Sequence, residues 1–216
     1  GDREKQADTD PSELSPFLFM MAEQLTQPGF NINKRMKNDW LPLHMCAFRG
    51  DVVCLEMLLG VVGVDVNLLD EVTATSLHCS AKQGRFRCTE VLLAAGAKVD
   101  ALAKDGSTTS LHYAIAEGHD RCVEVLLAAG ANANAPDCFG VVPLLIATPI
   151  GLDHIVELLL TAGAAVNART PNGGGSTALH SAVQEGHDRC TELLLAAGAD
   201  VNAMMQEQRV LGMLTS

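Results

Sequence analysis

Aromatic residues are scarce, at 4% of 216 positions, with one Trp and one Tyr. A bulky globular core is therefore excluded, and Leu, Val and Ala must fill an interior that draws on a 48% hydrophobic composition. That balance favours small, regularly packed helices in one folded unit. Runs of positive charge are also missing. The formal net charge is -11, which repels phosphate backbones and anionic membranes and attracts a basic partner surface. No segment approaches the roughly 18 uninterrupted apolar residues of a membrane span. The opening Gly1-Asp2-Arg3-Glu4-Lys5 lacks the apolar stretch of a secretory signal. Gly1 in place of an initiator Met reads as a trimmed or excised start.

Seven cysteines are an odd number, and none forms a CxxC pair. Cys54, Cys88, Cys122 and Cys190 recur at one position of a repeated pattern, where a disulfide framework would need spatial partners instead. Free, buried thiols are the expectation, and with them a reducing intracellular compartment, the cytoplasm first.

What is present is self-similarity. The segments 76–101, 110–135 and 178–203 nearly copy one another, and two more divergent copies run from Pro42 to Asn67 and from Pro143 to Asn167. A helix landmark falls at His44, His78, His112, Leu145 and His180, with intervals of 34, 34, 33 and 35. An Asn/Asp landmark closes each unit at Asn67, Asp100, Asn134, Asn167 and Asn202. The distance within a unit is 23 in the first and 22 in the other four, whereas the connectors run 11, 12, 11 and 13. Rigid bodies with elastic tips are the expectation for a stacked solenoid.

Each unit reads as two short helices. Thr75, Thr109 and Thr177 are placed to cap a first helix, and Pro42 and Pro143 occupy the first-turn position that tolerates a missing amide hydrogen. That helix ends near Gly50, Gly84, Gly118, Gly151 and Gly186. Cys122, Val125, Leu126 and Ala129 show the i, i+3, i+4, i+7 spacing of the second helix, which Gly96, Gly130, Gly163 and Gly198 stop. Ala114, Ala147 and Ala182 permit close helix approach. Pro149 is expected to shorten or bend the first helix of the fourth unit.

The pattern Thr-x-Leu-His, Gly-His, Leu-Leu-x-x-Gly-Ala and Val-Asn resembles the ankyrin repeat. The resemblance implies an all-α solenoid of stacked helix-turn-helix units with β-hairpin-like tips. Five units fill residues 34–203. Gly29-Phe30-Asn31-Ile32-Asn33 aligns with Gly63-Val64-Asp65-Val66-Asn67, so 12–33 reads as a degenerate capping repeat after a disordered acidic leader, 1–11. After Asn202 the chain does not rebuild a unit. Residues 204–216 then form an incomplete cap or tail, leaving apolar surface that another chain could cover.

The histidines recur about one repeat pitch apart, near 10 Å, too far for metal bonds of about 2 Å to bridge. The cysteines of the second helices lie on its apolar stripe rather than beside an activating base. Gly173-Gly174-Gly175 lacks the Lys-Ser/Thr of a phosphate loop. No catalytic, metal or cofactor role is expected. The resemblance instead implies a protein partner across the tips and the exposed first-helix face. The residues carried over are Trp40, Phe48, Arg49, Val72, Lys82, Gln83, Lys104, Asp105, Glu117, Phe139, Val141, Ile150, Gln184 and Glu185. Trp40 with Phe48 and Arg49 has the composition of a hot spot; the alternative is packing of Trp40 on Phe17 or Phe19. Phe139, Val141 and Ile150 form an apolar group, open equally to packing around Pro149. The tip asparagines lie where hydroxylases modify some family members, against the plainer role of turn formation. Membership of a larger complex, or a substrate-receptor role in a ubiquitin ligase, are the alternatives to a free-standing adaptor.

Overall fold

The computed structural model describes residues 16–36, 41–70, 74–103, 106–171 and 174–204. Within them lie eleven helices. Helix α1 (Pro16–Leu25) comes first. The first helices of successive units are α2 (Pro42–Arg49), α4 (Ser76–Lys82), α6 (Ser110–Ala116), α8 (Pro143–Ile150) and α10 (Ala178–Glu185). The second helices are α3 (Val52–Leu59), α5 (Phe86–Ala94), α7 (Asp120–Ala128), α9 (Asp153–Thr161) and α11 (Asp188–Ala196). First helices pack on first helices and second on second along the whole file, with α1 lying against α3.

Helices of seven to nine residues are too short to persist alone, so their stability comes from the shared interior. One continuous cluster runs through every unit. It includes Leu77, Leu111 and Leu144 from first helices and Leu58, Leu92, Leu126, Leu159 and Leu194 from second helices. Ala114, Ala147 and Ala182 are fully buried between neighbouring first helices, as close approach requires.

Helix starts are built as expected, with one addition. Thr75, Thr109 and Thr177 cap α4, α6 and α10, and in each case the His three residues on completes a capping box. The backbone N–H of Thr75 donates to His78 Nδ1 at 3.1 Å, and Thr109 and Thr177 do the same to His112 and His180. Glu usually fills that role; here an imidazole does. Pro149 sits in the last turn of α8 and does not shorten it: α8 has eight residues, as do α2 and α10. A proline there removes only one late intrahelical bond, and the helix still closes on Gly151 at φ 74.

The connectors explain their own variation. Backbone bonds close the tips as Asp70 N–H to Ala74, Ala103 to Thr108, Asp137 to Val141 and Thr170 to Ser176. These spans of 4, 5, 4 and 6 track the connector lengths of 11, 12, 11 and 13. Every added residue therefore lies beyond the closing bond. The extra residue of the first unit is absorbed between α3 and Gly63, where Val62 is 99% exposed.

Candidate partner-binding surface

Three sets of polar contacts hold the units together. The first set uses histidine. In His78 and His112, Nδ1 accepts from the capping Thr, so the proton rests on Nε2. That atom donates to the carbonyl of Thr108 at 3.3 Å and of Ala135 at 3.0 Å, each in the following tip. His44 reaches Ala74 in the same way at 2.9 Å. Unit one has Leu41 in place of the capping Thr, and His44 Nδ1 is buried without a partner. Burial holds the His44 pKa below its ordinary value of 6.5, with the Ala74 carbonyl and Asp70 opposing.

The second set is an asparagine ladder. Asn33, Asn67, Asn134 and Asn167 each donate from Nδ2 to the carbonyl of the glycine ending the next unit's second helix: Gly63, Gly96, Gly163 and Gly198. Their Oδ1 atoms accept the N–H of Asp65, Lys98, Ala165 and Asp200. A carboxamide serves both halves at once from two separate atoms, whereas an ionised Asp can only accept. Asp100 is the exception and makes only the accepting half, to Asn132 N–H at 3.0 Å. Asn202 has no following unit among the described residues.

The third set reaches backwards. His119 and His187 donate from Nε2 to the carbonyls of Lys82 and Pro149, both at 3.1 Å, and Arg85 Nε reaches that of Phe48 at 3.4 Å. These side chains pass directly over a glycine. A Cβ on Gly84 would lie 2.8 Å from His119 Nδ1, and one on Gly151 2.6 Å from the His187 ring. Here glycine is needed for close approach as well as for its positive φ. At the same position in unit four stands Leu152, which only brushes Gly118 at 3.5 Å.

The thiols are likewise structural in placement. Cys46, Cys54, Cys88, Cys122 and Cys190 are buried, and Cys79 is partly so. Burial pushes Cys88 and Cys79 up to about 12 and Cys122 to about 11. Cys46 is raised by its hydrogen bond to Cys54 and by burial. Cys190 donates to Asp153 Oδ1 at 3.0 Å. Cys138 departs from the expectation of buried thiols, being exposed at a tip.

What remains is the solvent face of the first helices and the tips. Phe48 and Arg49 are exposed, with the Arg49 guanidinium 5.8 Å from the Phe17 ring centre. It is thus Arg49, on α2, that covers Phe17, while Phe19 is exposed. Trp40, Val72, Lys104 and Asp105 lie outside the described residues. Lys82 is not merely solvated: its ammonium sits 5.5 Å above the Tyr113 ring of the next unit. His78 meets the same ring edge-on at 5.8 Å. Gln83 and Glu117 end α4 and α6, and Glu185 ends α10 with Gln184 donating to it at 3.4 Å.

Phe139 is 67% exposed on a tip braced by Asp137, whose Oδ1 accepts from the N–H of Phe139 and Val141. Val141 turns inward against the core, and Ile150 is exposed. The apolar group expected at unit four is therefore split, with two of its three members open to solvent. Tyr113 was not among the expected contact residues. Its signal in the sequence is its being the only Tyr, one residue after a landmark His.

A model of the ankyrin repeat family, described as ankyrin repeats in three copies, matches residues 19–103, 43–137 and 111–205. Those overlapping matches span nearly all the described chain.

The chain belongs to the ankyrin repeat family.

Ankyrin repeats are generally protein–protein interaction modules and are typically non-enzymatic. No curated protein sequence matches this ankyrin chain. No helix among the described residues is long and apolar enough to cross a membrane.

Proposed function

We propose that this ankyrin protein is a non-enzymatic scaffold that binds another protein across its tips and the solvent face of its first helices. One observation carries the reading. The positions that join units repeat the same chemistry, whereas the exposed positions differ in every unit. Counting four and five residues on from the landmark, the face reads Phe48-Arg49, Lys82-Gln83, Ala116-Glu117, Pro149-Ile150 and Gln184-Glu185. A solvent-facing surface that varies in charge and apolarity from unit to unit is suited to one partner's contour. Its polar joints are already made, so little ordering opposes binding.

Phe48 and its chain neighbour Arg49, Tyr113 beneath Lys82, and the separately exposed Ile150 and Phe139 of unit four have anchor chemistry. The partner is another protein, and the net charge of -11 favours a basic contact surface over nucleic acid. A reducing, cytoplasmic setting agrees with free thiols of raised pKa. The test is affinity capture with quantitative mass spectrometry, comparing the wild type with a folded Phe48→Ala/Tyr113→Ala/Ile150→Ala variant. A specific partner should be lost with the triple variant and kept when Arg121 and Arg189, on the second helices, are replaced by Ala. Retention by the triple variant, with loss on the second-helix face, would overturn the reading.

A second reading is a subunit of a larger assembly held by its ends. The exposed Val183 and Val201 of the last unit favour it. Sedimentation at rising concentration separates the two, since sticky ends self-associate.

A further inference from the structure

The solvent face of the first helices is polarised along the file. Apart from histidine, those helices and their C-terminal caps carry four charged residues. Arg49 and Lys82 end α2 and α4, and Glu117 and Glu185 close α6 and α10. Both cations therefore lie on units one and two, and both carboxylates on units three and five. At a repeat pitch of about 10 Å, the row from Arg49 to Glu185 spans roughly 40 Å.

Local stability accounts for only half of this pattern. All four residues stand at helix C-termini, where the backbone dipole favours a cation and opposes a carboxylate. Arg49 and Lys82 fit that rule, and Glu117 and Glu185 break it. Nor are the two cations neutralised in place. On the second helices, Arg121 and Arg189 pair with Glu124 and Glu192 at 2.7 and 3.0 Å. Arg49 and Lys82 instead rest on the rings of Phe17 and Tyr113 at 5.8 and 5.5 Å, with no carboxylate in ion-pair reach among the described residues. An aromatic ring holds a cation in place without cancelling its charge. Asp70, in the tip leading into α4, is half-buried and accepts the Ala74 N–H.

Beside these charges runs an apolar floor. The residues that follow the first four landmarks are Met45, Cys79, Tyr113 and Ile146, all half-buried, and Ser181 ends the row. One side chain per unit, about 10 Å apart, matches seven residues of α-helix at 1.5 Å each. A heptad seam thus keeps phase with the repeats, whereas a β-strand alternates its faces and loses phase at a three-residue step.

We infer that the first-helix face takes an amphipathic helix of the partner, acidic over units one and two and basic over units three to five. Its apolar seam lies on Met45, Cys79, Tyr113 and Ile146. This polarity rests on the first-helix contact reading above and adds to it the partner's fold and direction. Arg49 and Lys82 attract one end, Glu117 and Glu185 the other, and the reverse orientation sets like charges together at both ends. The overall charge of -11 draws basic segments to the molecule as a whole, but the two local cations select the acidic end.

The test uses two synthetic helical peptides of about 28 residues, long enough to span the row. Both carry a Leu seam and equal numbers of Glu and Lys, segregated into opposite halves in one peptide and interleaved in the other. Titrated against the full chain at low salt, the segregated peptide should have a Kd roughly tenfold lower, the scale of several exposed ion pairs. High salt should erase that advantage. A nitroxide on its Glu end should broaden amides of α2 and α4, and one on its Lys end those of α10. Arg49→Glu/Lys82→Glu and, separately, Glu117→Lys/Glu185→Lys should each abolish the preference. Equal affinity for the two peptides on the first-helix face would overturn the polarity and leave that face as the contact surface. No binding by either would overturn the helical partner. Broadening of second-helix amides instead would overturn the first-helix reading as well.

Discussion

Replacing Asn134 with Asp changes one nitrogen to oxygen and tests the asparagine ladder directly. Asn134 Nδ2 donates to the Gly163 carbonyl at 3.0 Å, and Oδ1 accepts from Ala165 N–H at 2.7 Å. A carboxylate keeps the second bond and loses the first, facing an oxygen toward a carbonyl oxygen. A lost neutral hydrogen bond costs about 0.5–1.5 kcal/mol, and this exposed site falls toward the lower half because water can rescue the carbonyl. The charged acceptor does not repay the loss: the natural Asp100 holds Asn132 N–H at 3.0 Å, no shorter than the 2.7–2.9 Å of the asparagines. With the repulsion included, Asn134→Asp should destabilise by about 1 kcal/mol. Asp100→Asn should stabilise by about half to one such bond, by gaining a donor toward Gly130. Urea unfolding would register the pair as midpoint shifts of opposite sign, about 0.3–0.5 M for a typical dependence on denaturant. Exchange of the Ala165 and Asn132 amides would localise the effect. If Asn134→Asp matches or exceeds the wild type, or if Asp100→Asn destabilises, the two-handed role of the carboxamide is wrong.

Three further outcomes follow from the same joints. Gly84→Ala should cost about 2–3 kcal/mol, combining left-handed strain with displacement of the His119 ring and its bond, whereas Gly118→Ala, facing only Leu152, should cost about 1 kcal/mol by thermal or urea unfolding. The buried His44 ring has a folded pKa below 6.5, so the unfolded chain takes the proton first: stability should be complete above pH 6.5 and fall as pH drops below it toward the folded pKa. His44→Gln should flatten that slope in urea titrations from pH 7.5 to 5.5. Thiol labelling of the native protein should modify Cys138 rapidly and the other six of the seven cysteines only after unfolding; fast reaction at Cys122 would contradict its burial.

Repetition made the fold legible from sequence. A pitch of 33–35 residues, a threonine or a first-turn proline at the start of each first helix and a glycine after each second helix determine which segments are helical and that they stack in file. Those signals are local, and five copies of them average out the ambiguity of any one. Tertiary structure decided what each polar residue does in the joints. The bonds run from Asn134 to Gly163, from His119 back to Lys82 and from Lys82 to the Tyr113 ring, linking residues about 30 to 40 positions apart. No window of one unit contains both ends, so periodicity shows that an Asn recurs but not that it needs both donor and acceptor. The contact surface was only partly readable for the same reason. Val141 and Phe139 are near neighbours of similar apolarity, and only the tip braced by Asp137 turns one inward and leaves the other in water.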